Sequence, residues 1–144
     1  MKESVKIKFI PLGDNGFHLA VKVKINNTDA LMVVDTGATQ TVVSAEFAEK
    51  MNLSRKEIQD KSTSLGIGTD KLSPMLTFID KLKIGKIKLE KLTFIVLPME
   101  HINQTYTMLG NKAVDGIIGN DLLILLKSLI NLEEKEIVLK YENH

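Results

Sequence analysis

No cysteine occurs among the 144 residues, which removes disulfides, Cys-based zinc sites and thiol nucleophiles from consideration. Histidine is scarce. His18, His101 and His144 are scattered along the chain and show no ligand spacing such as an i, i+4 pair on a helix. A transition-metal site would have to be built mostly from carboxylates, so neither a metal nor any other cofactor is expected. Neither sign of charge dominates: 19 basic and 18 acidic residues leave a formal charge of +1, and no strong field favours nucleic acid or anionic lipid. Residues 1–8 alternate charged with apolar side chains, so they lack the apolar stretch of a signal peptide or a membrane span. A cytoplasmic location is the default expectation, short of a leader removed ahead of residue 1. No low-complexity segment or linker interrupts the chain.

What remains is the length and composition of a single domain, 1–144, with 44% apolar and 26% charged residues, enough for one core. Alternation of apolar and polar residues dominates. It predicts strands over 5–10, 17–25 and 30–34, with Asp14-Asn15-Gly16 and Asn26-Asn27 as turns. A β-branched segment, 39–43, predicts a further strand. Ser44 is placed to cap a helix running to about Met51, with Glu46 near its positive end and Phe47 and Met51 on its buried stripe. The box Ser54-Arg55-Lys56-Glu57 predicts one more helical turn.

Residues 62–80 read as a hairpin tipped by Gly66-Ile67-Gly68-Thr69-Asp70. A second alternating stretch turns around Gly85, its lysines forming a solvated face that discourages edge-to-edge pairing. With no aromatic interleaving, those lysines do not make a nucleic-acid surface. An apolar strand over 92–97 is stopped by Pro98, and 101–112 reads as a polar surface loop. Gly116-Ile117-Ile118-Gly119 then leads into a short helix from Asp121 to about Lys127, with Asn120 as its cap. A final hairpin pairs 129–132 with 137–141. The class is mainly β with one or two short helices.

The chemistry concentrates at Asp35-Thr36-Gly37, which follows the apolar run Ala30-Leu31-Met32-Val33-Val34 and occurs once. A strand that delivers a carboxylate into a glycine turn aims it rigidly and is expected to desolvate it in part. Acid–base hydrolysis by carboxyl groups needs a pair. One copy per chain therefore suggests a homodimer with its active site on the two-fold axis. Taken alone, the tripeptide would also serve as an ordinary strand end.

The order of motifs adds to this: Asp35-Thr36-Gly37, then the glycine-tipped hairpin, then Ile117-Ile118-Gly119-Asn120-Asp121-Leu122-Leu123 after Gly116. That order resembles the retropepsin-like aspartic proteases, in particular the single-domain bacterial and cellular relatives of the retroviral enzymes. Residues 9–141 take part in the likeness. The resemblance implies a retropepsin-like barrel and an aspartic endopeptidase that hydrolyses a peptide or protein substrate as a homodimer. Asp35 would be the catalytic residue from each subunit. Thr36 would hydrogen-bond across the two-fold axis, and Gly37 would let the two catalytic loops approach. Ala38 and Thr39 would begin the substrate wall, Gly66, Ile67 and Gly68 would form a flap over the peptide, and Ile118 and Gly119 would support the catalytic loop from behind. Retroviral members usually carry an acid where this chain has Thr39 and an arginine where it has Asn120. Both halves of that ion pair are missing here, which sets its mode of dimerisation apart.

Three other readings compete. Asp115-Gly116 could supply a second catalytic loop within one chain, but it lacks the intervening hydroxyl residue. The domain could be a catalytically silent peptide-binding or dimerisation module, since a fold does not guarantee activity. It could also be a structural barrel in which Asp35 is dispensable.

Overall fold

The computed structural model describes residues 1–14, 16–58 and 74–142. Two sheets share one main core. β1 (Lys2–Lys6), β11 (Glu136–Lys140) and β10 (Leu129–Asn131) form a three-stranded antiparallel sheet in the order β1-β11-β10. The larger sheet runs β2 (Lys8–Pro11), β3 (Phe17–Ile25), β4 (Thr28–Val34), β9 (Gly116–Ile118), β5 (Val42–Ser44), β8 (Ile87–Leu97), β7 (Met75–Ile84) and β6 (Lys56–Glu57). An additional β3–β7 pairing brings that sheet back onto itself. Closure of this kind leaves less unpaired edge. The helices among the described residues are α1 (Ala45–Lys50), α2 (Glu100–Met108) and α3 (Asn120–Leu125).

Alternation along β3 puts Val21, Val23 and Ile25 in the main core and leaves Lys22 and Lys24 exposed. Asn26 and Asn27 turn the chain into β4 with both residues at positive φ, 48° and 68°, as a tight two-residue hairpin turn requires. In β4 the side chains part company by one-residue steps. Met32 and Val34 enter the main core, while Val33 joins a second cluster with Ile10, Ala20, Met99, Tyr106 and Val114. This strand is therefore buried on both faces, which explains its unbroken apolar run.

The position of β9 decides the site. It pairs in parallel with β4, Val34 opposite Ile118, and antiparallel with β5, Val42 opposite Ile117. Gly116 is squeezed between them: a Cβ there would run into the Val42 carbonyl oxygen and lie 2.8 Å from Met32 Cε.

Several local expectations change in the folded chain. Residues 5–10 divide at buried Ile7 into β1 and β2, which enter different sheets. Of the expected 39–43 strand only Val42 and Val43 join a ladder, in β5 with Ser44, because the Thr41 amide is taken by a carboxylate. Ser44 does cap α1, its Oγ accepting from the Phe47 amide at 3.0 Å. The box at 54–57 makes no helix. Ser54 Oγ instead accepts from the Phe78 amide at 3.2 Å, and Lys56–Glu57 become the short edge strand β6. The expected loop over 101–112 contains α2, a third helix beyond the one or two anticipated. α3 begins at Asn120 with Gly119 as its cap, so Asn120 is not the capping residue. The expected hairpin tip at Gly66-Ile67-Gly68 lies outside the described residues.

Candidate active site

Asp35 stands where β4 leaves the sheet, and β9 fixes it there: the Asp35 amide donates to the Ile118 carbonyl at 3.0 Å. The chain then turns tightly. The Ala38 amide donates to the Asp35 carbonyl at 3.1 Å, and the Gly37 amide donates to Asp35 Oδ1 at 2.8 Å. One carboxylate oxygen is thereby oriented by its own loop. A Cβ on Gly37 would sit 3.1 Å from that same oxygen, so glycine gives the carboxylate its place. Asp35, Thr36 and Gly37 are all exposed in the single chain. The partial desolvation expected of Asp35 is thus not supplied by one copy, because the loop projects from the rim of the sheet.

The segment after β9 clasps this loop from behind. Asn120 Nδ2 donates to the Thr36 carbonyl at 2.7 Å, and the Asn120 amide to the Ala38 carbonyl at 2.8 Å. Thr41, fully buried, donates through Oγ1 to Asp121 Oδ1 at 2.7 Å and through its amide to Asp121 Oδ2 at 3.0 Å. The same Thr41 hydroxyl accepts from the Gly119 amide at 3.1 Å. Gly119 could not be larger: a Cβ would lie 2.7 Å from the Gln40 carbonyl carbon and oxygen and 3.0 Å from the Ala38 oxygen. Backbone cannot yield as a flexible side chain can. Ile118 is buried behind the loop, Ala38 is half-buried and Thr39 exposed. Asp35 to Thr39 and Ile118 to Gly119 thus come together, while Gly66, Ile67 and Gly68 fall outside the described residues.

Sequence reasoning passed over Thr41 and Asp121, although a threonine just before an apolar pair and an acid beside the helix start were in view. It also passed over His18 and Tyr106, whose side chains line a pocket that includes Asp35. Asp115 has another use. Its carboxylate accepts from the Leu31 amide at 2.9 Å, four residues and about 13 Å of strand from Asp35. It cannot be the second acid of an intrachain pair. Among the described residues no group of three His, Asp or Glu side chains converges in a way that could hold a metal ion.

The family described as "gag-polyprotein putative aspartyl protease" matches residues 21–123, from β3 through the clasp behind Asp35. The chain belongs to that family. DNA damage-inducible protein 1 of Saccharomyces cerevisiae is 29% identical over 119 residues, covering 81% of this chain. The chain spans only 24% of the length of that yeast relative. In fold it is similar to a retropepsin-like aspartic protease from Rickettsia conorii, with a TM-score of 0.56, 18% identity and coverage of 100% of this chain and 94% of that one. The retroviral protease-like domain of Ddi1 from Leishmania major gives the same TM-score and identity, covering 88% of this chain and 90% of that one. The fold is retropepsin-like, and two of the motifs that suggested it, Asp35-Thr36-Gly37 and the segment from Ile118 to Asp121, meet in space. Within this retropepsin-like frame, the Asn120 side chain closes on the Thr36 carbonyl. This contact is neutral and lies within one chain.

Proposed function

We propose that the chain is an aspartic endopeptidase that acts as a homodimer, with Asp35 of each copy forming one catalytic pair. The observation that carries this reading is the state of the acids. Asp35 is aimed by its loop and left exposed, whereas the nearby Asp121 and Asp115 carboxylates are committed to Thr41 and Leu31. Of these three carboxylates only Asp35 stays usable, and a second copy supplies the other.

Two carboxyls about 3 Å apart cannot both ionise, so they share a proton and titrate as a unit. The ionised member takes a proton from water as the water oxygen attacks the peptide carbonyl carbon. The protonated member hydrogen-bonds the carbonyl oxygen and passes its proton to it. Collapse of the tetrahedral intermediate breaks the C–N bond, the amine leaves with a proton, and the pair returns to its shared-proton state. The Thr36 hydroxyl would tie the two loops together, and Ala38 and Thr39 would meet the peptide. Gly66, Ile67 and Gly68 would close over it to exclude water.

A second copy also suits the surface. Ile124 lies one helical turn beyond Asn120 on α3 and is 75% exposed, and Leu129 at the start of edge strand β10 is 62% exposed. Large apolar residues left open on a helix and an edge strand are covered most simply by another subunit.

A peptide-library digest across about pH 3 to 7, the range that brackets coupled carboxyls of this kind, tests the activity. Wild type should cleave and Asp35→Asn should not, with fold and dimer unchanged. No cleavage by wild type at any pH would favour the silent peptide-binding module. Substantial cleavage by Asp35→Asn would remove Asp35 from the mechanism.

A further inference from the structure

The lysines of the long β7–β8 hairpin lie in register with those of β3. Lys83 is opposite Lys24 on β3 and opposite Lys88 on β8, and side chains directly opposite one another share a face of the sheet. Three cationic side chains therefore stand in a row across three adjacent strands, whose outer members are about 10 Å apart. Asp29 ends the row on β4, opposite Lys24, and its carboxylate lies 3.8 Å from Lys24 Nζ. Among the described residues neither Lys83 nor Lys88 forms an ion pair. Alternation puts Lys22 and Lys81 on the same face; of these two, only Lys81 has an acid opposite, Glu90. Five lysines thus share this face with two carboxylates, in a chain whose formal charge is +1. Like charges directly opposite each other destabilise a sheet. Guarding an edge does not account for Lys83, because β7 is paired on both sides at that residue.

We propose that this face of β3, β7 and β8 docks an acidic segment of a partner protein, held in extended form with carboxylates at alternate residues. The spacing selects that occupant. Lys22 and Lys24, like Lys81 and Lys83, stand two residues apart on one strand, about 6.7 Å. Carboxylates at every second residue of an extended peptide repeat at the same interval. Lys81 and Lys83 are half-buried, so their aliphatic stems floor the face while their charged ends reach the partner. None of the five positions is an arginine, whose planar fork matches phosphate, and none is an aromatic on which a base could stack. Asp29 lies six residues ahead of Asp35 along β4, about 20 Å away. A segment bound here leaves the catalytic loop free, and its binding does not depend on hydrolysis.

Fluorescence anisotropy of a labelled dodecapeptide of alternating Glu and Ser, titrated with the full chain, tests this. The variants are Lys83→Gln, the triple Lys24→Gln, Lys83→Gln and Lys88→Gln, and a control triple, Lys50→Gln, Lys56→Gln and Lys140→Gln, at exposed lysines elsewhere. The first triple should weaken binding by about tenfold, while the control triple leaves it within about twofold. Wild-type affinity should fall as salt rises from about 50 to 300 mM. Lys83→Gln alone should weaken binding yet raise the melting temperature by about 1–4 °C, which also shows that the fold survives. A peptide of the same composition with its Glu residues in one block should bind less well than the alternating one. No binding by wild type, or equal loss in the two triples, would overturn the docking face. Equal binding of block and alternating peptides would overturn the extended, alternating occupant. Tighter binding of a single-stranded oligonucleotide of equal charge, or of anionic lipid vesicles, would overturn the choice of an acidic protein segment.

Discussion

Tyr106 carries its hydroxyl where ionisation is costly. Burial, and then the charge of Asp35, raise its pKa above the ordinary value of 10.0. Below 10.0 folded and unfolded chains both keep the proton, so the residue adds no pH dependence. Above it the unfolded chain releases the proton while the folded chain retains it, and stability falls as pH rises toward the raised value. Urea melts between pH 9 and 11 should show this loss in wild type and a shallower one in Tyr106→Phe. Equal slopes would mean that the hydroxyl ionises without penalty. Asp35 was legible because its strand and glycine turn are contiguous in the sequence. The Tyr106–His18 bond joins residues 88 apart, and no local spacing announces such a pair.

Elements defined by their own residues were read correctly. Val21, Val23 and Ile25 alternate with lysines and made the 17–25 strand plain, and Ser44 announced α1. Helix α2 was missed because it starts without a side-chain cap, carries no basic residue in its last turn and contains the poor helix formers Thr105 and Thr107. Its signal was the stripe Met99, Ile102, Tyr106 and Leu109, spaced as one helix face. The box at Ser54 misled because a cap works only when apolar periodicity follows; here the serine hydroxyl found the Phe78 amide instead. The clasp formed by Gly119, Asn120 and Asp121 could be named from the resemblance, but its bonds to Thr36, Ala38 and Thr41 arise only when β9 threads between β4 and β5. Gly119→Ala tests that element. Its methyl would press on the Gln40 and Ala38 backbone, a cost of about 1–3 kcal/mol for overpacking. A lowered melting temperature and reduced cleavage are expected, and unchanged values for both would show that the clasp can yield.

At the scale of the whole molecule the chain looks like half of a machine: one oriented and exposed carboxylate, a pocket beside it, and apolar residues open along α3 and β10. The neutral Asn120–Thr36 contact braces the Asp35 loop from within its own chain, so in the proposed homodimer a second copy would have only to bring its Asp35 and cover the apolar edge. If each active site needs Asp35 from two chains, inactive chains poison active ones. Wild type and Asp35→Asn protein, mixed in equal amounts at fixed total concentration and allowed to exchange subunits, should retain about one quarter of wild-type peptidase activity, because only wild-type pairs carry both acids. Activity that falls in simple proportion, to about one half at the same mixture, would contradict a site shared between two copies.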